Sequence, residues 1–273
     1  METMSVDRNK AARDLLAFYA EAGVDAAVGE RPSDWFAGGT AIAPVQPKPA
    51  APPPAPSAQR ARAQAPAASP VSPPAPDVAV MAAREAARGA RSLDELRAIL
   101  QGFEGCALKV SASRLVFADG TPHSRLMFVG EAPGSEEDRQ GLPFVGRSGQ
   151  LLDRMLKAIG LDRTQVYIAN IVPWRPPGNR TPTPVETQIC LPFIQRQIEL
   201  SNPDILITVG QPSTGALLGV QGITKNRGRW FAYHTGTREI RAMPMLHPAY
   251  LLRTPLAKRQ AWRDMLAIRK ALG

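Results

Sequence analysis

Three short segments gather the residue types that could do chemistry. The first, Gly130-Glu-Ala-Pro-Gly-Ser-Glu-Glu-Asp138, continues through Leu142-Pro-Phe-Val-Gly146 and carries four acids beside glycine and proline. The second ends an apolar run at Ile168-Ala-Asn170 and leads into Trp174-Arg-Pro-Pro-Gly-Asn-Arg180; the third is His247-Pro-Ala-Tyr-Leu-Leu-Arg253. Carboxylates such as Glu131, Glu137 and Asp138 can stabilise a cationic centre and hold or deprotonate a water. An amide such as Asn170 offers a donor and an acceptor together, and a neutral imidazole such as His247 can donate to an atom that gains negative charge. Each has a plainer reading. Glu136, Glu137 and Asp138 could cap a loop, Phe144 could be core, Asn170 could close a strand-end turn, and His247 could be an ordinary loop residue before proline.

The elements between these segments alternate in type. Arg114–Ala118, Leu126–Gly130, Val166–Val172, Ile205–Gly210 and Arg241–Leu246 read as strands, and Ser148–Ile159, Pro184–Leu200, Pro212–Leu218 and Pro255–Leu272 as helices, by apolar run and by helical spacing. Such alternation predicts an α/β fold: a three-layer αβα sandwich with a mostly parallel central sheet of about four strands. Ligands of such sheets sit at the carboxyl ends of the strands, where all three segments fall.

Upstream the character changes. Residues 1–43 contain an apolar series (Ala12, Leu15, Leu16, Phe18, Tyr19) at helical spacing, and 44–76 hold 12 of the 27 prolines with no aromatic and no acid. This predicts an N-terminal helical segment, a docking peptide for a partner, on a disordered linker, with the compact domain over 77–273. Ser92-Leu-Asp-Glu95 reads as a helix N-cap with an acid at the third position.

The formal charge of +9 favours a polyanionic partner. The surplus lies in the C-terminal part: residues 105–273 contain 22 Lys and Arg against 12 Asp and Glu. Two cysteines are too few for a disulfide framework. With no apolar run of membrane-spanning length and no secretory-type N-terminus, the expectation is a cytoplasmic monomer with no membrane partner.

Taken together, the GEAPG loop with its downstream acids, the PFVG segment, the asparagine after the second strand, the RPPGNR turn and the HPAYLL loop resemble the family 4 uracil-DNA glycosylases. The similarity spans residues 100–273. It implies a monofunctional enzyme of base excision repair that flips uracil from single- or double-stranded DNA and hydrolyses its N-glycosidic bond. In that light Glu131, Glu137 and His247 are the catalytic candidates, and Ala132, Phe144 and Asn170 contact the base. Phe144 would stack on it and Asn170 would pair with its amide edge, while Ala132 stands where some related glycosylases carry their main catalytic acid. Arg175, Arg180, Arg227, Arg229 and Arg253 would meet phosphates, and Leu251 would wedge into the gap left by the flipped nucleotide. An alternative is a module that binds uracil or abasic DNA with little turnover.

The resemblance also implies an iron–sulfur cluster on four cysteines. Cys106 and Cys190 match two of those positions, and Phe103 and Trp174 occupy the other two. The expectation is therefore that no metal and no cofactor is bound, and that the two aromatics pack with the two cysteines as an apolar plug.

Overall fold

The computed structural model describes residues 76–273. The N-terminal helical segment and most of the proline-rich linker, expected over 1–43 and 44–76, lie outside the described residues. The chain begins with helices α1 (Pro76–Gly89), α2 (Leu93–Gly102) and the single turn α3 (Leu108–Ser111). Ser92 does cap α2: its hydroxyl accepts from the Glu95 N–H, and the Glu95 carboxylate reaches back to the Arg91 N–H.

Then follow β1 (Asp119–Gly120), β2 (Leu126–Gly130), α4 (Ser135–Gln140), α5 (Arg147–Ala158), β3 (Tyr167–Asn170), α6 (Pro184–Ser201) and β4 (Ile205–Val209). The chain closes with α7 (Gln211–Leu218), α8 (Ile223–Asn226), β5 (Phe231–His234), β6 (Glu239–Met245), α9 (Pro248–Arg253) and α10 (Lys258–Leu272).

The sheet runs β1-β3-β2-β4-β6-β5. Its four central strands are parallel, as expected, and two antiparallel edge strands bring the count to six rather than four. Both additions are short elements that pairing, not pattern, defines. β1 is two residues long, and β5 is the first arm of a hairpin with β6. The strand expected at Arg114–Ala118 is not one. That stretch is held as a loop by single bonds, such as the Val116 N–H to the Pro173 carbonyl at 2.9 Å.

β2 and β4 are buried at every position, which is why they read as unbroken apolar runs. Side chains alternate between two cores. Met127, Val129, Tyr167, Ala169 and Leu206 face one core together with residues of α1, α2 and α6; Phe128, Ile168, Ile205, Ile207 and Met245 face the other with residues of α5 and α10. The same alternation puts Gly130 and Asn170 on the second face, at the carboxyl ends of β2 and β3, where they are paired in register. Among the described residues no helix is long and apolar enough to cross a membrane.

Candidate active site

The carboxyl ends of β2, β3 and β6 open onto one cavity of about 220 Å³. Glu131, Ala132, Glu137, Phe144, Asn170, Arg180 and His247 all line it, although they are spread over more than a hundred residues of chain. The three segments singled out by their chemistry therefore form a single site.

Its floor is built by close packing. A Cβ on Gly130 would lie 2.5 Å from Asn170 Oδ1 and 2.6 Å from the Phe144 ring, so only glycine at the end of β2 lets the amide and the aromatic ring approach each other. Phe144 itself sits at φ +53°, a left-handed conformation costly for an aromatic residue. Its ring stacks on His247, centroids 5.6 Å apart and planes 26° from parallel.

His247 is the N-cap of α9, and its Nδ1 accepts from the Ala249 N–H at 3.1 Å. A neutral ring bound in this way carries its proton on Nε2. Burial, with help from the nearby Arg253 charge, pushes its pKa down to about 4, so the ring is neutral at physiological pH.

The two glutamates differ sharply. Glu131 has a buried Oε1 with no hydrogen-bond partner among the described residues, and burial raises its pKa. Glu137 is fully engaged: Oε1 accepts from the N–H groups of Val145 (3.0 Å) and Gly146 (2.8 Å), and Oε2 from that of Gly134 (3.2 Å). It ties the start of α4 to the loop that carries Phe144. Asp138 is likewise a clamp, accepting from the N–H groups of Ser113 and Arg114. Glu136 is exposed and paired with Arg139 on the solvent side of α4, the plainer solvating reading, while the cap at the start of α4 comes from Glu137.

Comparison with known proteins fits this geometry. Residues 117–266 match the family described as the uracil DNA glycosylase superfamily. The chain belongs to that superfamily. It is 38% identical over 185 residues to the type-4 uracil-DNA glycosylase of Sulfurisphaera tokodaii, covering 66% of this chain and 84% of that protein. It is 44% identical over 152 residues to the type-4 enzyme of Thermotoga maritima (54% and 77%) and 36% identical over 187 residues to that of Saccharolobus solfataricus (66% and 87%).

These relatives correct one expectation. Type-4 uracil-DNA glycosylases are the iron–sulfur cluster-containing family, so the expectation that this chain takes no cofactor does not stand. As for donors, Cys106 and Cys190 are buried with their Sγ atoms 3.9 Å apart, and Phe103 and Trp174 belong to the same apolar cluster. The hydrogen bond to the Cys106 sulfur, and then burial, push the Cys190 thiol well above its usual range. Among the described residues no group of three or more His, Cys, Asp or Glu is disposed to hold a metal ion. Two sulfurs are half of a four-cysteine donor set.

The residues expected on the DNA side of this superfamily member divide into two groups. Arg229 and Arg253 are exposed, and Arg180 sits at the cavity rim in a two-pronged pair with Glu186. Arg175 is held by Asn179 Oδ1 at 2.7 Å. Arg227 is not free for phosphate: its guanidinium is locked onto the buried Asp264 of α10. Leu251 is also corrected. It is 0% exposed and packs with Leu246, Ala257 and Ala261, whereas its neighbour Leu252 is 36% exposed.

Sequence reading missed Arg163, which holds the Pro143–Phe144 backbone from behind, and Gly210, whose φ of +91° and missing Cβ leave room for the His247 ring. Neither lies in a segment with recognisable chemistry. Only the glycine after a buried strand offered a signal.

Proposed function

We propose that the chain is a uracil-DNA glycosylase that takes uracil out of DNA and hydrolyses its N-glycosidic bond, the first step of base excision repair. The observation that carries this is the meeting of an unpartnered carboxylate, an amide, an aromatic platform and a neutral imidazole around one cavity in a member of this superfamily.

The flipped base stacks on Phe144 and pairs with Asn170, whose carbonyl accepts from N3–H while its amino group donates to O4; cytosine presents the opposite pattern at both atoms. As the C1′–N1 bond breaks, its electron pair moves onto the base and positive charge spreads over the sugar. His247 Nε2–H donates to O2 and stabilises the leaving anion without prior protonation of the ring. Ionised Glu131 lies on the opposite side of the charge separation; its poor solvation makes it a stronger base toward the water that adds to C1′. Glu137 acts by holding the loop, a positioning role rather than the water-activating one the resemblance suggested. Ala132 leaves open the space beside Glu131. Arg180, Arg229 and Arg253 meet phosphates, with Leu252 rather than Leu251 as the wedge.

In this reading residues 77–273 are the catalytic domain, active as a cytoplasmic monomer on single- or double-stranded uracil-DNA. The segment before them docks a repair or replication protein. The purified chain should convert a uracil-containing oligonucleotide to free uracil and an abasic product. Asn170→Ala and His247→Ala should each slow single-turnover release, the latter on the order of 10²-fold. Tight binding of uracil-DNA with no base release would favour the binding module; uracil release unchanged in Glu131→Gln, Asn170→Ala and His247→Ala alike would mean that the site lies elsewhere.

A further inference from the structure

We propose that Arg163 is a positioning residue for the base-stacking platform: it holds Phe144 in its left-handed conformation and so keeps the ring parallel to the site. This rests on the reading of the cavity as a uracil pocket. Arg163 lies in the turn Arg163–Gln165 that precedes β3 and does not line the cavity. Its guanidinium donates to the Pro143 carbonyl at 3.1 Å and to the Phe144 carbonyl. Two carboxylates anchor it there, Asp119 Oδ2 at 2.9 Å and Asp153 Oδ1 at 3.2 Å.

The Phe144 carbonyl lies against Gly149 in α5, where a Cβ would overlap the carbonyl carbon and oxygen, so the glycine makes room for this conformation without itself bonding to it. A non-glycine residue at φ +53° is under local strain, and such strain persists only where surrounding structure over-determines the backbone. Glu137 fixes the loop just after Phe144, through the N–H groups of Val145 and Gly146; Arg163 fixes it just before and at Phe144, through the carbonyls. With the second clamp released, the backbone can relax toward negative φ, and that rotation carries the ring away from His247. A rigid fork that hydrogen-bonds two carbonyls and one carboxylate while pairing with a second is something guanidinium geometry provides and an ammonium does not.

The test is a double-mutant cycle on the full chain, read by single-turnover uracil release from a single-stranded oligonucleotide. Arg163→Lys keeps the charge near Asp119 and Asp153 and loses the fork; it should slow release about tenfold, within the range of coupling for residues in contact. In a Phe144→Ala background the same change should cost less than about twofold, because the platform it serves is gone. Independent, multiplying effects would overturn the proposal, as would a wild-type rate in Arg163→Lys.

Binding of free uracil, followed by saturation-transfer NMR, should weaken in Arg163→Lys while affinity for uracil-free DNA is retained. A merely structural arginine would lower the melting temperature and leave uracil binding by the folded protein intact, and that result refutes the positioning role. If Arg163→Lys does not fold, Asp119→Asn loosens the same guanidinium; loss of uracil binding is then expected, and full retention overturns the idea. Should the wild-type chain bind uracil but release none from DNA, the glycosylase reading fails while the binding comparison still judges Arg163.

Discussion

Glu137 offers the sharpest separation of a clamp from a catalyst. Its two oxygens accept three backbone N–H groups, at 2.8, 3.0 and 3.2 Å, and the residue is 8% exposed. In Glu137→Gln the amide oxygen can stand in for Oε1 and keep Val145 and Gly146, while the amide nitrogen faces the Gly134 N–H as donor against donor. Leaving one buried donor unmet costs about 2 kcal/mol. Glu137→Ala leaves all three unmet; charge-assisted bonds are worth more each but relax together, and about 4 kcal/mol is expected. For a domain of this size these losses translate into melting temperatures lower by about 4–8 °C and 8–16 °C. Thermal melts and single-turnover uracil release at 25 °C, well below either transition, should be measured on the same preparations. A clamp predicts that activity follows stability: the Gln variant keeps most of its rate and the Ala variant, with a loosened Phe144 loop, loses far more. If Glu137→Gln melts like the wild type yet is as inactive as Glu137→Ala, the charge itself is doing chemistry and the reasoning is refuted.

The other expectations concern charge and pH. Glu131 is raised above the ordinary glutamate value of 4.5 by burial, so uracil release should fall on the acid side with a midpoint above that value, and Glu131→Gln should abolish this limb together with most of the rate. A raised carboxyl favours the native state below its unfolded pKa and loses that advantage as pH rises through the folded one. Glu131→Gln should therefore melt higher than wild type at pH 7 and lose the advantage in acid. His247 shifts the other way, from 6.5 to about 4: its neutral form is favoured by folding, and stability falls as pH drops from 6.5 toward 4, by up to about 3 kcal/mol. Urea titrations of wild type and His247→Gln across that window should differ in slope, and equal slopes would mean that the ring is not buried neutral. Arg227→Ala should strand Asp264, lower the melting point and leave the salt dependence of DNA binding unchanged, whereas Arg253→Ala should reduce that dependence by about one counterion with little effect on stability.

Much of this was legible before any coordinates. The four parallel strands could be read because burial on both faces makes β2 and β4 continuous apolar runs, and their ends point to the loops that hold the chemistry. What escaped was decided by partners that sequence does not spell out. A two-residue strand exists only by its pairing with Ile168 and Tyr167. Leu251 and Leu252 are alike in type, and only the phase of a six-residue helix starting at Pro248 decides which one faces inward. Arg227 looks available until Asp264, 37 residues later, closes on it. The three partners of Glu137 are backbone N–H groups, identical at almost every position in any chain.

Two glutamates six residues apart are therefore held in different ways. Glu137 spends both oxygens on three backbone N–H groups and so ties the start of α4 to the loop that carries Phe144. Glu131, at the cavity wall, has a buried Oε1 with no donor among the described protein groups, and burial raises its pKa. On the proposed glycosylase reading, the carboxylate whose Oε1 has no protein donor is the one left to meet the sugar as it turns cationic, and the carboxylate bonded three times is the loop clamp.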